Sequence, residues 1–420
     1  MNAVKSYIFL TFLRLSPCVL KECVPMPGKS VIAYRYESFG GILHTQKPPM
    51  LVWVDRDYMR SLGYADSPLW DEADSLISAP VEVHAMLSRR CSAGCRGCYA
   101  DAVSDSGQKE LDLEGWKKAM DILAEARVFH VALGGGESME LPWLFELAAY
   151  ARARGVVPNL TTNGFLVDEH NARSCRVFGQ INVSIDGLKE QYRQCRGIDG
   201  FERADRALTL LKKARCRFGI NTVVSRLNFD RLEEIVRYAR AKGVNQIELL
   251  RFKPSGRGQT VFDEMGLTGE QLRSFYPMTQ KLRKKYGLNL RVDCSFMPQI
   301  FFHKPNPQRA SFFRVAGCHA GQLLMGIMPD GRVSACSFAG AEDWNINEFP
   351  SRWASKDSFS LFRGWRDRAQ EPCRTCNYLD LCLGGCHVVA ETVCGSPDSG
   401  DPGCPYIMQN EERRNCCSCV

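Results

Sequence analysis

Several kinds of sequence are missing from this chain of 420 residues. No internal repeat occurs at the spacing of solenoid proteins, and no segment has low complexity, which excludes repeat arrays and long biased tracts. No basic stripe alternates with aromatic residues, so we do not expect binding to nucleic acid. No apolar run reaches the length needed to span a bilayer. A hydrophobic content of 45% therefore indicates a globular protein of roughly two to three domains.

Residues 7–20 form an apolar stretch near the beginning of the chain, interrupted by Arg14 and Pro17. The stretch is too short to cross a membrane and lacks the small-residue cleavage site of a signal peptide. We expect a packed N-terminal segment, or a start at Met26, rather than a signal peptide.

The net charge of +7 makes the chain mildly basic. Basic runs such as residues 281–285 are interpreted as solvated helix faces. The alternative is a docking patch for an acidic peptide or for an acidic electron carrier.

Cysteine is unusually abundant, with 20 residues in the chain. Disulfide-rich chains are usually small secreted proteins without a core of this size. Here the cysteines are grouped at intervals typical of metal ligands, which indicates a reducing compartment. We therefore expect a cytoplasmic protein that binds metal.

Residues 80–255 alternate short apolar β-like runs with amphipathic segments. The predicted strands are residues 81–87, 128–133, 157–161, 181–185, 218–224 and 247–252, and the predicted helices are residues 113–127, 143–154, 204–214 and 231–242. Six β/α units predict an α/β fold with a parallel sheet covered by helices, either an open barrel or a doubly wound sheet. Functional groups should then lie at the carboxyl ends of the strands.

Three segments flank this core. Residues 1–79 contain a predicted β-hairpin unit, with a turn at Phe39-Gly-Gly. Residues 256–314 form a bridging region in which Thr268 caps a helix that runs to about Tyr286, followed by a strand near 288–292. Residues 315–420 are rich in Cys, Gly and Asp, and we expect them to bury little apolar surface and to depend on metal.

Cys91, Cys95 and Cys98 follow the first predicted strand of the core with C-x3-C-x2-C spacing. Three thiolates from one loop suit a [4Fe-4S] cluster with one open iron, and structural zinc or unrelated thiols are the alternative. This loop resembles that of the radical S-adenosylmethionine (SAM) superfamily. The resemblance implies a partial (β/α)6 barrel of TIM type, with SAM bound at the open iron and cleaved to a 5′-deoxyadenosyl radical. It also implies a flavodoxin or ferredoxin as electron donor.

Two further motifs occur in the order in which the superfamily has them. Gly135-Gly136-Glu137 follows the second predicted strand and resembles the motif whose backbone and acidic side chain receive the SAM ammonium. Ser138 replaces the usual proline, which predicts a looser turn. Residues 161–164, Thr-Thr-Asn-Gly, close the third predicted strand as they do in relatives.

The fourth predicted strand ends in Ser184-Ile-Asp-Gly. The resemblance implies that Ser184 contacts SAM and that Arg196, twelve positions later, binds the SAM carboxylate through a guanidinium clamp. The alternative is an ordinary surface arginine. By the same analogy Tyr99 lies near the adenine, although an isolated aromatic residue can equally serve packing.

Seven C-terminal cysteines and Gly331 resemble, in order and spacing, the SPASM domain, which carries two auxiliary [4Fe-4S] clusters. The resemblance assigns the nearer cluster to Cys318, Cys336 and Cys386, and the farther cluster to Cys373, Cys376, Cys382 and Cys404. The nearer cluster then has three protein thiolates. Its fourth iron is either open, or bound by a non-cysteine ligand, or bound by Cys394. Structural zinc knuckles are the alternative reading of the region.

Other cysteines carry less information. Cys175, Cys195 and Cys216 are interpreted as small buried hydrophobic residues. The terminal cysteines at 416, 417 and 419 suit a disordered tail better than a metal site or disulfide exchange.

Residues 36–44 resemble the opening hairpin of leader-binding modules of the PqqD type, which bind a leader peptide as an added strand at a sheet edge. A plain hairpin packed on the barrel is the alternative. The resemblance implies a ribosomally made precursor peptide as substrate and a separate leader-recognition protein as partner. Hydrogen abstraction would then lead to a crosslink, a thioether, epimerisation or backbone excision.

Modification of a tetrapyrrole of the haem type, or anaerobic sulfatase maturation, remain open as alternative functions. A non-enzymatic iron–sulfur scaffold is disfavoured, because Glu137, Ser184 and Arg196 would have no role in it. No catalytic acid or base is assigned. Glu248, Arg251 and Asp293 lie at or after late strands, and strand alternation puts Glu248 and Arg251 on opposite faces, so at most one of them should point inward.

Overall fold

The structure is a computed structural model that describes residues 7–8, 31–46, 49–72, 76–312 and 315–409. The predictions for most of the N-terminal apolar stretch, for Met26 and for the terminal cysteines lie outside the described residues. In the part of the chain that is described, no helix is both long and apolar enough to cross a membrane.

The N-terminal unit is a four-stranded antiparallel sheet with strand order β1-β4-β3-β2. Its strands are β1 (Tyr7–Ile8), β2 (Val31–Glu37), β3 (Gly40–Gln46) and β4 (Pro49–Asp55), and helix α1 (Arg56–Ser61) follows them. The predicted hairpin is therefore confirmed. Buried Arg35 pairs with Glu37 and donates hydrogen bonds to the carbonyls of Ala79 and Pro80, which anchors the sheet to the beginning of the core.

Six consecutive parallel strands form the core of a second sheet, and each pairs with its neighbours along the chain. They are β5 (Glu82–Ser88), β6 (His130–Gly135), β7 (Val157–Thr162), β8 (Ile181–Ser184), β9 (Phe218–Val224) and β10 (Ile247–Arg251). A doubly wound sheet reverses its strand order at a switch point, whereas this order never reverses. The open barrel is thus confirmed over the doubly wound alternative.

Helices cover the outside of these strands. They are α2 (Leu113–Glu125), α3 (Leu144–Ala153), α4 (Glu190–Arg196), α5 (Phe201–Lys213) and α6 (Leu232–Lys242). In α2 the buried residues Trp116, Ala119, Met120 and Leu123 recur at helical spacing and form one apolar face. Asp112 caps this helix by accepting a 2.8 Å hydrogen bond from the backbone N–H of Gly115.

The bridging region continues the barrel. It contains α7 (Phe262–Met265), α8 (Gly269–Tyr286), β11 (Leu290–Val292), α9 (Met297–Phe302) and α10 (Pro307–Phe312). Thr268 and Gln271 form a capping box at the beginning of α8, as the sequence predicts for Thr268. Strand β11 pairs in parallel with β10 and so adds a seventh parallel strand to the series.

The C-terminal segment joins the same sheet from its other side. Its elements are β12 (Leu324–Ile327), β13 (Arg332–Ser334), β14 (Ala341–Asn345), α11 (Ser351–Ala354), α12 (Ser360–Arg363), α13 (Trp365–Arg368), α14 (Leu379–Cys382) and α15 (His387–Cys394). Strand β12 pairs in parallel with β5, and β13 and β14 follow antiparallel. The expectation that this segment buries little apolar surface is wrong, because Trp344, Trp353 and Trp365 are almost completely buried in it.

Candidate active site

A cavity of about 380 Å³ runs along the inside of the open barrel to the carboxyl ends of its strands. It is lined by every residue that the sequence predicts to hold the first cluster or SAM: Cys91, Cys95, Cys98, Tyr99, Gly135, Gly136, Glu137, Ser184 and Arg196. These residues come from three separate β/α units, and the parallel sheet brings them together because it places all their strand ends at one edge.

The loop that carries the three cysteines is held in place by its neighbours. The N–H of Cys91 donates to the Val103 carbonyl at 2.8 Å, and Arg257 Nε donates to the Cys95 carbonyl at 3.1 Å. Gly97 lies against the ring of Phe252, so closely that a Cβ would be 2.8 Å from it. The thiols are therefore presented to the cavity on a fixed loop.

The thiol of Cys91 suits a ligand that brings positive charge. Burial, with smaller contributions from nearby groups, raises the pKa of Cys91 to about 11, so the isolated thiol stays protonated at neutral pH. The N–H of Ala93 lies 3.5 Å from its Sγ and points a donor at the sulfur. Iron would stabilise the thiolate and displace the proton, as metal ions do at cysteine sites.

Glu137 is held by the strand next to its own. Its Oε1 accepts a 2.8 Å hydrogen bond from Thr162 Oγ1, and its Oε2 accepts a 2.7 Å hydrogen bond from the Asn163 N–H. The Thr-Thr-Asn-Gly segment therefore fixes the direction of this carboxylate, a role that the sequence alone did not reveal. Burial raises the pKa of Glu137, and a cationic ligand in the cavity would favour its charged form.

The turn before Glu137 leaves no room for side chains. A Cβ on Gly136 would lie 2.0 Å from the backbone oxygen of Arg90, and Gly135 has a φ of +106°. Whether this turn is looser than one with proline stays a prediction, but Ser138 does stabilise it. Its buried hydroxyl donates a 3.2 Å hydrogen bond to the carbonyl of Gly134 and closes the turn.

Arg196 ends helix α4 and points toward the cysteine loop. Its Nη1 forms a 2.8 Å ion pair with Asp186 Oδ2, and its Nη2 lies 3.4 Å from the Cys95 sulfur. Its Nε is buried and has no hydrogen-bond partner among the described residues. An unpaired guanidinium donor beside the cavity fits the carboxylate of a bound ligand. Sequence reasoning missed Asp186, although it lies two residues after Ser184.

Tyr99 and Ser184 both line the same cavity. The ring centroid of Tyr99 is 4.9 Å from that of Phe338, which the C-terminal segment contributes. Burial raises the pKa of Tyr99 to about 12, so its hydroxyl stays protonated. Ser184 is the last residue of β8 and is partly exposed to the cavity.

The C-terminal cysteines gather in two groups. Burial raises the pKa of Cys318 well above its usual value, and the nearby thiols of Cys336 and Cys386 raise it further. Burial does the same to Cys382, together with the charges of Cys404, Cys373 and Cys376. In both cases the thiols that raise the pKa belong to the set that the sequence assigns to the same cluster. Cys394, by contrast, is exposed at the end of α15.

No disulfide joins any pair of cysteines in the described ranges. Within these ranges, no three His, Cys, Asp or Glu side chains are close enough to hold one metal ion. A [4Fe-4S] cluster binds each thiolate to a different iron, so its ligands stand farther apart than those of a single ion.

The three polar residues near the late strands are mostly engaged elsewhere. Buried Arg251 forms an ion pair with Asp401 in the C-terminal segment, and Asp293 forms one with Lys253. Glu248 accepts a weak 3.4 Å hydrogen bond from Asn182 Nδ2. Both Glu248 and Arg251 border the cavity, and the alternating burial of β10 leaves them on opposite faces of the strand, as expected.

Comparison with known proteins matches residues 86–239 to the radical SAM superfamily. Mycofactocin maturase MftC from Mycolicibacterium smegmatis is 31% identical over 346 residues, or 78% of this chain and 83% of that protein. PqqA peptide cyclase from Gluconobacter oxydans is 27% identical over 354 residues, or 80% of this chain and 95% of that protein. The AdoMet-dependent heme synthase of Oleidesulfovibrio alaskensis is 27% identical over 335 residues, or 76% of this chain and 86% of that protein.

Among solved structures, Streptococcus suis SuiB bound to its precursor peptide SuiA has the same fold. Its TM-score is 0.72 at 16% identity, with 90% of this chain and 100% of that chain covered.

One cavity of the open barrel is surrounded by three loop thiols, a buried glutamate and an unpaired guanidinium donor. This arrangement defines an enzyme that binds a cluster and a charged cofactor together. The chain belongs to the radical SAM superfamily. It is therefore a radical SAM enzyme, with a [4Fe-4S] cluster and SAM as cofactors.

Proposed function

We propose that this enzyme modifies a ribosomally made precursor peptide by hydrogen abstraction. The observation that carries the proposal is the convergence of the loop thiols, Glu137 and Arg196 on one cavity that opens at the strand ends. The cluster, when bound, supplies one electron for the reductive cleavage of SAM, which yields a radical able to remove an unactivated hydrogen.

The residues around the cavity hold SAM in this proposal. Cys91, Cys95 and Cys98 would hold the cluster, and SAM would bind beside it in the cavity. Gly135, Gly136 and Glu137 take the ammonium, because their backbone and the fixed carboxylate line one wall of the cavity. Arg196 takes the carboxylate through its free Nε, and Asp186 holds the guanidinium in direction.

Two residues complete the SAM site. Ser184 is placed to donate a hydrogen bond to SAM from the end of β8. Tyr99 offers its ring face to the adenine, and its contact with Phe338 keeps the ring in position. Together with the covering C-terminal segment, these residues exclude water from the place where the radical is formed.

The N-terminal sheet supports the choice of a peptide. Strand β2 lies at the end of this sheet, and its outer edge pairs with no other strand among the described residues. A leader peptide can bind such an edge as an added strand. The peptide named for PqqA peptide cyclase and the one bound to SuiB support the same substrate class. A separate recognition protein would share the leader in this arrangement.

The remaining assignments belong to the same proposal. Residues 1–79 form the hairpin domain, 80–255 the radical SAM core, 256–314 the bridge and 315–420 a SPASM domain. The nearer auxiliary cluster uses Cys318, Cys336 and Cys386, and the farther one uses Cys373, Cys376, Cys382 and Cys404. The enzyme works in the cytoplasm and receives electrons from a flavodoxin or a ferredoxin.

The test uses the full chain, reconstituted anaerobically with iron and sulfide. It is incubated with SAM, dithionite and a short peptide encoded beside its gene, and the products are analysed by mass spectrometry. We expect 5′-deoxyadenosine and a peptide of altered mass, both absent from the variant Cys91→Ala/Cys95→Ala/Cys98→Ala. Absence of 5′-deoxyadenosine from the intact enzyme would contradict the proposal.

Modification of a tetrapyrrole is the second candidate, because the heme synthase relative is as similar to this chain as the peptide cyclase. A parallel incubation with an iron porphyrin distinguishes the two. We expect the porphyrin to be recovered unchanged, and its conversion without any change of the peptide would favour this second function.

A further inference from the structure

The nearer group of C-terminal cysteines has a neighbour from the barrel. Cys294 lies two residues after β11, where the Asp293 N–H donates a 3.0 Å hydrogen bond to the Leu249 carbonyl. Asp293 also accepts hydrogen bonds from the N–H and the hydroxyl of Ser295, at 3.1 and 2.9 Å. The backbone on both sides of Cys294 is therefore fixed at the carboxyl end of the sheet.

One buried ion pair ties this turn to Cys386. Arg251 Nη1 donates a 3.2 Å hydrogen bond to the carbonyl of Ser295, and the same guanidinium pairs with Asp401. Asp401 Oδ2 in turn accepts a 3.0 Å hydrogen bond from the N–H of Cys386. The ion pair of Arg251 and Asp401 thus connects the carbonyl of Ser295 to the N–H of Cys386.

A second ion pair ties the turn to Cys336. Lys253 pairs with Asp293, and its Nζ lies 4.2 Å above the ring of Phe338, two residues after Cys336. The ammonium is buried among thiols, and its positive charge would offset the negative charge of a cluster bound there. Burial lowers the pKa of Lys253, but Asp293 and Cys386 raise it overall, so the group stays charged.

The thiol of Cys294 is within electrostatic reach of the predicted ligands. Burial raises its pKa most, followed by the charge of Asp293 and then by the thiols of Cys318 and Cys386, while Lys253 lowers it. Two thiols of the nearer group, Cys318 and Cys386, are thus neighbours of Cys294.

We infer that Cys294 is the fourth thiolate ligand of the nearer auxiliary cluster and closes the iron that the SPASM pattern leaves open. This inference rests on the auxiliary clusters of the proposed function. On binding, Cys294 loses its proton to solvent and its sulfur bonds to iron. The nearer cluster then has no site for the substrate, and its role is to transfer electrons.

The experiment starts from the variant Cys91→Ala/Cys95→Ala/Cys98→Ala, which removes the cluster that has an open iron by design. Cys294→Ala, Cys394→Ala and Cys216→Ala are each added to it, the last as a half-buried cysteine outside both groups. Each protein is reconstituted, its iron is counted, and the reduced clusters are titrated with 13C-cyanide and examined by electron–nuclear double resonance.

We expect about eight irons and no 13C coupling in the starting variant, because four thiolates saturate each cluster. Cys294→Ala should either open one cluster to cyanide or lose about four irons. Neither change should follow Cys394→Ala or Cys216→Ala. Should iron be lost, Cys294→Ser separates ligation from packing: a serine ligand retains the iron and shifts the reduction potential and the g-values.

Three results would overturn the inference. The first is cyanide coupling already in the starting variant, and the second is coupling or iron loss that appears with Cys394→Ala instead. The third is a Cys294→Ser protein with an unchanged potential and spectrum. A starting variant that holds no iron refutes the auxiliary clusters themselves, whereas 5′-deoxyadenosine formation in the intact enzyme, measured separately, tests the radical function.

Discussion

Two arginines on helix α4 have different surroundings. Arg196 is largely buried beside the cysteine loop, whereas Arg193 is exposed and pairs with Glu190 on the same helix. Arg196→Ala should weaken SAM binding about ten- to a hundred-fold, since a hydrogen bond to a charged group contributes roughly 1.5–3 kcal/mol. Equilibrium dialysis with SAM measures the change at constant iron content. Arg193→Ala is the matched control, and an equal loss with both variants would contradict the role of Arg196.

His44 makes the packing of the N-terminal sheet sensitive to pH. Burial and the nearby His130, whose ring centroid is 4.9 Å away, lower the pKa of His44 to about 4. An unfolded histidine has a pKa of about 6.5, so between these values the unfolded chain binds more protons than the folded chain. The free energy of unfolding should therefore fall as the pH drops below about 6.5.

Anaerobic thermal unfolding between pH 7.5 and 5.5 measures this effect. The decrease should be smaller in His44→Gln and unchanged in the control His170→Gln, whose side chain is exposed. Identical pH profiles for wild type and His44→Gln would show that the cause lies elsewhere.

Most residues of the active site could be predicted from the sequence, because the motifs have fixed spacings along the chain. Cys91, Cys95, Cys98, Glu137 and Arg196 all line the cavity as the sequence indicates. Cys294 was not found, because a single cysteine after a short strand carries no spacing pattern. Its neighbours, Cys318 and Cys386, are distant in sequence, and only the folded chain brings the three together.

The turn after β6 is the element most sensitive to a single added methyl group. Gly136→Ala would place a Cβ 2.0 Å from a backbone oxygen of Arg90, the residue before Cys91. Because backbone cannot move aside as a flexible side chain can, we expect the free energy of unfolding to fall by about 1–3 kcal/mol. The first cluster should also be lost or bind less iron.

Chemical denaturation of the anaerobic protein and iron analysis measure both effects. Gly340→Ala is the control, because an added Cβ there meets nothing within 4 Å and the backbone φ is ordinary. A Gly136→Ala protein as stable and as rich in iron as wild type would show that the close approach is not required.

Apart from helix α4, which was not predicted, the elements of the barrel were predicted within a few residues, since strands and helices with one buried face carry a clear period. Strand β9 matches its predicted bounds, Phe218–Val224. The pairing of β12 with β5 was not predicted, because sheet contacts between residues more than two hundred positions apart leave no local pattern. The apolar core around Trp344 and Trp353 was missed for the same reason.

We propose that the whole molecule holds three clusters. Iron analysis of the reconstituted wild type should give about twelve irons per chain, and Cys91→Ala/Cys95→Ala/Cys98→Ala should give about eight. The C-terminal sheet strands should keep the auxiliary sites intact in this variant, because β12 to β14 are paired independently of the cysteine loop. A fall to zero in this variant, like a wild-type value near four, would contradict auxiliary clusters that bind iron on their own.

The most direct test of the central claim follows one hydrogen atom. The enzyme is incubated anaerobically with SAM, dithionite and the candidate precursor peptide in which all core residues carry deuterium. The account predicts that deuterium appears in 5′-deoxyadenosine together with the modified peptide, because the radical formed in the cavity abstracts its hydrogen from the peptide. Formation of 5′-deoxyadenosine without deuterium, while the peptide mass stays unchanged, would contradict it.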